Sequence, residues 1–253
     1  MVDAISSNEV SDVSMNSECY WLSEKIDQTL INQLFMFILG CNSNPSRGSS
    51  PQEEALKQEL MQLESSLPSQ QAAKLRDMLS RLPTDTRSKT YSSELTEAFS
   101  MITAFIVSIM PNGLSSEEKK ELNAFLDRMP THTFSKTYEV EVAVWAAHLS
   151  AFIASSLPGV LSSRAKQELN ELLRKQPTDT HSKLYFFDMI KFLSKVQVFI
   201  AENVPSSLSP SDKAKLDEQL KKILSINPYD KDSPEEEQIA LAKLEQMLSD
   251  MFF

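Results

Sequence analysis

Glycine is nearly missing from this chain, with 4 residues in 253, where about 7% is usual. Tight hairpins need residues at positive φ, which glycine supplies at least steric cost. A strand-rich fold is therefore disfavoured before any pattern is read. Basic residues are also short, with 25 Lys and Arg against 35 Asp and Glu, for a formal net charge of −10. No uniform basic face exists for a phosphate backbone, which argues against nucleic acid as a partner.

Cysteine is limited to Cys19 and Cys41. If these flank one helix they lie roughly 33 Å apart at about 1.5 Å per residue, far beyond the separation a disulfide tolerates. Their usage accords with a reducing compartment. Long apolar runs are absent too. The most apolar stretch, Leu34 to Leu39, is far shorter than the roughly 20 residues that span a bilayer, so no transmembrane segment is expected. The first residues lack the basic-then-apolar order of a secretory signal. The chain thus reads as cytoplasmic. The alternative is export without a cleavable signal, in keeping with a Ser-, Asn- and Asp-rich leader over 1–18 that reads as disordered.

Histidine occurs three times, at 132, 148 and 181. No His-x-x-x-His or Cys-x-x-Cys spacing appears, so no metal site is expected. Gly113 and Gly159 are isolated turn glycines and form no phosphate loop. No nucleophile, base and orienting group stand out together. Neither catalysis nor a cofactor is expected.

What is present is repetition. Pro83-Thr-Asp-Thr-Arg-Ser-Lys-Thr-Tyr91, Pro130-Thr-His-Thr-Phe-Ser-Lys-Thr-Tyr138 and Pro177-Thr-Asp-Thr-His-Ser-Lys-Leu-Tyr185 start 47 residues apart. Phe105-Ile106, Phe152-Ile153 and Phe199-Ile200 keep step, as do Leu75, Leu122, Leu169 and Leu216. A fixed period of 20–50 residues marks supersecondary units that bury their apolar faces only by stacking. The units run over 67–113, 114–160, 161–207 and 208–253. Helices over 19–66, with a linker at 41–51, precede them.

Each unit reads as a helix pair, which makes the fold all-α, either solenoid-like or a compact bundle of helical repeats. The shorter helices are expected near 69–81, 115–128, 162–175 and 209–225. Ser115 with Glu118 fits a capping box, and Pro210 suits a first helical position. The longer helices are expected near 87–110, 134–157 and 181–204. Their apolar stripes, such as Tyr138, Val142, Trp145, Leu149, Phe152 and Ile153, hold one helical face. Wide apolar faces place the longer helices inside and the shorter ones as cover. Replacing Phe152 by alanine is expected to cost about 3–5 kcal/mol. At the ends, 19–39 and 234–251 read as further helices of the longer kind, and 52–65 as a short one.

The Pro-Thr-Asp/His-Thr-x-Ser-Lys segment supports two readings. In one, proline stops the shorter helix while Thr, Ser and Asp oxygens cap the longer one. In the other, the row Lys89, Lys136 and Lys183, with Thr84, Thr131 and Thr178, lines an edge of helix N-termini and holds an acidic or phosphorylated partner. The repeated tyrosines at 91, 138 and 185 are expected to pack in the core, with hydroxyls reaching loop carbonyls. The function expected is non-catalytic binding of a protein partner, as a scaffold. An exported bacterial effector is a subordinate version. The alternative is a helical carrier whose aromatic-rich longer helices enclose a lipid or other apolar ligand.

Overall fold

A computed structural model describes residues 26, 28–40, 50–111, 113–131, 137–204, 208–230 and 232–252. The described residues are 75% helical and include no strand, so the chain is all-α. Among the described residues ten helices follow one another: α1 (Gln28–Gly40), α2 (Pro51–Ser66), α3 (Ser69–Ser80), α4 (Tyr91–Ile109), α5 (Ser116–Leu126), α6 (Tyr138–Ser156), α7 (Ser163–Leu173), α8 (Tyr185–Asn203), α9 (Pro210–Ser225) and α10 (Ser233–Phe252). The leader 1–18, Cys19 and Cys41 lie outside the described residues, as do positions 41–49 of the expected linker.

Capping chemistry fixes most of the shorter helices. Ser115 and Glu118 complete the reciprocal capping box of α5. Ser50, Ser162 and Ser209 each accept from the amide three residues on, at Glu53, Ala165 and Asp212. Pro51 and Pro210 take the first position of α2 and α9, where a missing N–H costs nothing. Pro51 therefore belongs to a helix and not to the linker. Gly159, at φ +76°, turns the chain between α6 and α7 in the left-handed region that glycine enters without Cβ strain.

The longer helices start four residues later than their sequence predicts, on Tyr91, Tyr138 and Tyr185. Thr90 and Thr137 stand at the N-cap of α4 and α6 but accept no helix amide through their side chains. Their hydroxyls donate instead to Glu94 and Glu141 in the first turn. The Asp and Ser oxygens upstream are used within the loop, as described below.

Layering follows the apolar stripes. The outer helices bury little: Ala72 and Leu75 on α3, Leu122 on α5, Ala165 and Leu169 on α7. By contrast α4 buries twelve residues and α6 eleven. α4 packs on α6, and α6 on α8, while α3, α5 and α7 cover them. Phe152 belongs to the seam between layers. Its ring is half-buried against Phe125, with centroids 5.1 Å apart. The cost of Phe152→Ala therefore drops below the stripe-based figure, to about 1–3 kcal/mol, because less area leaves water and the site can relax. A urea titration of the variant checks this.

The first described helix, α1, is central to the packing. α1 contacts α2, α4, α6, α8 and α10. Ile31, Leu34 and Phe35 are fully buried, and Leu30 and Met36 to Leu39 nearly so. Residues 34–39 are apolar on all sides and have to be surrounded, and here the longer helices surround them, while Thr29 at the start of α1 stays exposed. Phe37 meets Phe99 of α4 at a centroid distance of 4.4 Å. At the far end, the buried Gln197 amide of α8 donates to the Leu39 carbonyl. That bond satisfies one of the acceptors every helix leaves open at its C-terminus. At the other end of the chain, Met251 and Phe252 are half-buried against the same core, as expected of a cap.

Candidate functional site

The loop before each longer helix is the most distinctive segment in the sequence, and two of its copies are described throughout. They share one hydrogen-bond pattern. Asp85 Oδ1 accepts from the Arg87 amide and Asp179 Oδ1 from the His181 amide, both at 3.1 Å. Ser88 Oγ accepts from the Thr90 amide and Ser182 Oγ from the Leu184 amide, both at 3.2 Å. The backbone closes the same turns, with Ser88 donating to the Asp85 carbonyl at 2.9 Å and Ser182 to that of Asp179 at 3.1 Å. Such short side-chain-to-backbone bonds rigidify a loop without help from the core.

The expected site residues sit on this scaffold. Thr84, Thr131, Thr178, Lys89 and Lys183 are all exposed. Lys136 lies outside the described residues, as does His132. Asp85 precedes Lys89 by four residues, and Asp179 precedes Lys183 by four. The structure gives those carboxylates to amides, and among the described residues neither lysine has an ion pair. α6 packs against both α4 and α8, and Lys89 and Lys183 lie in the loops that lead into α4 and α8.

Tyr91 and Tyr138 are core residues, but their hydroxyls donate to carboxylates where loop carbonyls were expected. Tyr91 donates to both oxygens of Glu53, at 2.8 and 3.0 Å, and Glu53 also pairs with Lys57. Tyr138 donates to Glu97 Oε1 at 2.7 Å. Burial pushes the Glu97 carboxyl up, the Tyr138 hydroxyl pulls it back, and the neighbouring Glu94 pushes it up again. The same burial and the carboxylate lift the Tyr138 hydroxyl above its ordinary value. These bonds tie α4 to α2 and α6 to α4, and a hydrogen bond to a charged acceptor is stronger than a neutral one. Tyr185 is half-buried and meets Phe186 edge-on at 5.7 Å.

Two further polar features were not read from the sequence. Lys191 of α8 donates to the carbonyls of Leu224 and Ile226, both at 2.9 Å, and lies 4.2 Å from the centre of the Phe187 ring. Burial pulls its ammonium below the usual range. Glu245 of α10 follows the buried Leu244, and its Oε1 is buried without a hydrogen-bond partner. Burial pushes its carboxyl up to about 8. A lysine and a glutamate flanked by apolar stripe positions were the available signals, but their partners are set by packing.

His148 joins Gln176 at 2.7 Å, and His181 is exposed in its loop. Among the described residues no three His, Cys, Asp or Glu side chains gather as metal ligands. No helix among them is long and apolar enough to cross a membrane. Compared with known proteins, the chain matches no family model, no curated protein and no solved structure.

Proposed function

We propose that this chain is a non-catalytic scaffold that binds a partner protein, taking an acidic or phosphorylated segment of it along the edge that carries Lys89, Lys136 and Lys183 with Thr84, Thr131 and Thr178. The observation that carries this reading is the pair of matching hydrogen-bonded turns, which keep Thr84, Lys89, Thr178 and Lys183 exposed and are closed by backbone, Asp and Ser groups without drawing on those four side chains. Preorganised donors lose little entropy on binding, and the amides at a helix start favour anions. The carrier alternative needs a cavity among the longer helices, and α1 occupies that position. A cytoplasmic setting, or export without a cleavable signal, suits a scaffold equally.

The test uses a fluorescein-labelled peptide rich in Glu and phosphoserine, followed by anisotropy. Lys89→Gln, Lys136→Gln and Lys183→Gln together keep most of each stem and remove three charges. The affinity is expected to fall about tenfold or more and to lose most of its salt dependence. Undiminished binding by the triple variant would remove this edge from consideration.

A further inference from the structure

The C-terminal corner, remote in sequence from the lysine loops, carries an open cavity of about 300 Å³ between the end of α9 and the start of α10. Half-buried Ile226 and Ala240 supply its apolar part, and exposed Lys222, Asp230 and Glu236 are among its polar lining. Lys222 is already paired with Glu218, so it offers little free positive charge. The sequence from Asn227 to Ile239 holds five carboxylates and one lysine. The corner is thus acidic at its rim.

Two of the most exposed large apolar residues flank this cavity. Tyr229 is 81% exposed and Ile239 is 62% exposed. Tyr229 lies in the turn between the lining residues Asn227 and Asp230. That turn is fixed by the Asn227 side chain, which accepts from the Tyr229 amide at 3.2 Å and donates to Asp230 at 3.0 Å. Ile239 stands three residues after Glu236, so the two share a helical side, at the edge of the cavity beside Ala240. The wall beneath is stiff. Lys191 holds the end of α9 from below, and the buried Gln219 amide donates to the Ala240 carbonyl at 2.7 Å.

We infer that this corner is a docking surface for a basic segment of a partner protein, with an aliphatic side chain seated on Ile226 and Ala240 and Lys or Arg side chains on the carboxylate rim and the Tyr229 ring. Charge complementarity selects the occupant. The rim of this corner is negative, which steers a cationic segment inward here and disfavours an acidic one at this place. An exposed tyrosine face adds a cation–π seat that favours Arg. A small apolar patch, Ile226 and Ala240, set in a largely polar cavity matches the anchor-and-rim layout of protein interfaces.

The test compares two labelled peptides of about a dozen residues, one alternating Arg and Leu and one alternating Arg and Ser, by anisotropy at two salt concentrations. The whole chain is expected to bind the Arg–Leu peptide at least tenfold more tightly. Tyr229→Ala with Ile239→Ser should erase that preference. Asp230→Asn with Glu236→Gln should weaken both peptides and flatten the salt response. All four positions are exposed, and unchanged circular dichroism verifies the fold. Equal binding of the two peptides to the unaltered chain, binding of neither, or a preference that survives the Tyr229 and Ile239 changes would each overturn the inference. The triple lysine variant should leave Arg–Leu binding intact, which separates this corner from the lysine edge.

Discussion

Phe99→Ala is expected to cost about 3–5 kcal/mol, the loss typical of a large aromatic removed from a core that cannot close behind it. Phe99 is fully buried, and its ring touches Phe37 of the central helix α1. Removing it leaves a void where α1 meets α4, and both walls are held by other contacts. α1 also touches α6, α8 and α10, so it cannot shift toward α4 without opening a gap elsewhere. The contrast with Phe152 makes the test discriminating, since the two phenylalanines sit one helix apart. Urea titrations of both variants should give midpoints that differ clearly, with Phe99→Ala the lower. Equal midpoints would mean that the α1 seat collapses as readily as the seam between layers.

Glu245→Gln is expected to stabilise the protein near pH 8 by a few kcal/mol and to remove a pH dependence. The folded chain holds this carboxyl at about 8, against an ordinary value of 4.5. Below about pH 4.5 both folded and unfolded states carry the proton, and the residue makes no difference between them. Between 4.5 and 8 the unfolded chain has lost the proton and the folded chain keeps it. Stability therefore falls as pH rises through that window, by up to about 1.4 kcal/mol per pH unit. Above 8 the full penalty of a buried, unpartnered carboxylate is present. Glutamine has nearly the same shape and no charge, so its variant should show a flatter profile from pH 5 to 8. Thermal melts of both proteins across that range decide the matter. Parallel profiles would show that Glu245 ionises in the folded state as freely as in water.

How much of this was legible depended on whether the cause was local. The capping box of α5 and the serine cap of α9 need only neighbouring residues, and the sequence located both helices to within about two positions. The helix start at Tyr91 was misplaced by four because Asp85 and Ser88 had two local uses for their oxygens. They were free to cap helix amides or to fold a turn two residues on, and the turn won. α1 carried its own warning. The unbroken run Leu34, Phe35, Met36, Phe37, Ile38 and Leu39 leaves no polar side on the second half of that helix, a pattern that demands neighbours all round it there. Which neighbours it finds is a property of packing, and a repeat register that starts at 67 does not reveal it. The same limit applied to the tyrosines, whose carboxylate partners lie 38 and 41 residues away. At the lysine edge, exposure and spacing were readable, but the turns that hold Asp85 and Asp179 away from the lysines were not.

The seat of α1 also sets a problem of timing during synthesis. The bond from Gln197 to Leu39 links residues 158 positions apart. At about 5–20 residues per second, a ribosome needs roughly 8–30 s to travel that distance. The most apolar helix of the molecule is thus made early, and its last wall is made late. Ordinary stacked repeats avoid such a delay, because each unit finds its neighbour as soon as it emerges. Here the nascent chain has to keep Leu34 to Leu39 out of water, or sheltered by other chains, until α8 and α10 exist.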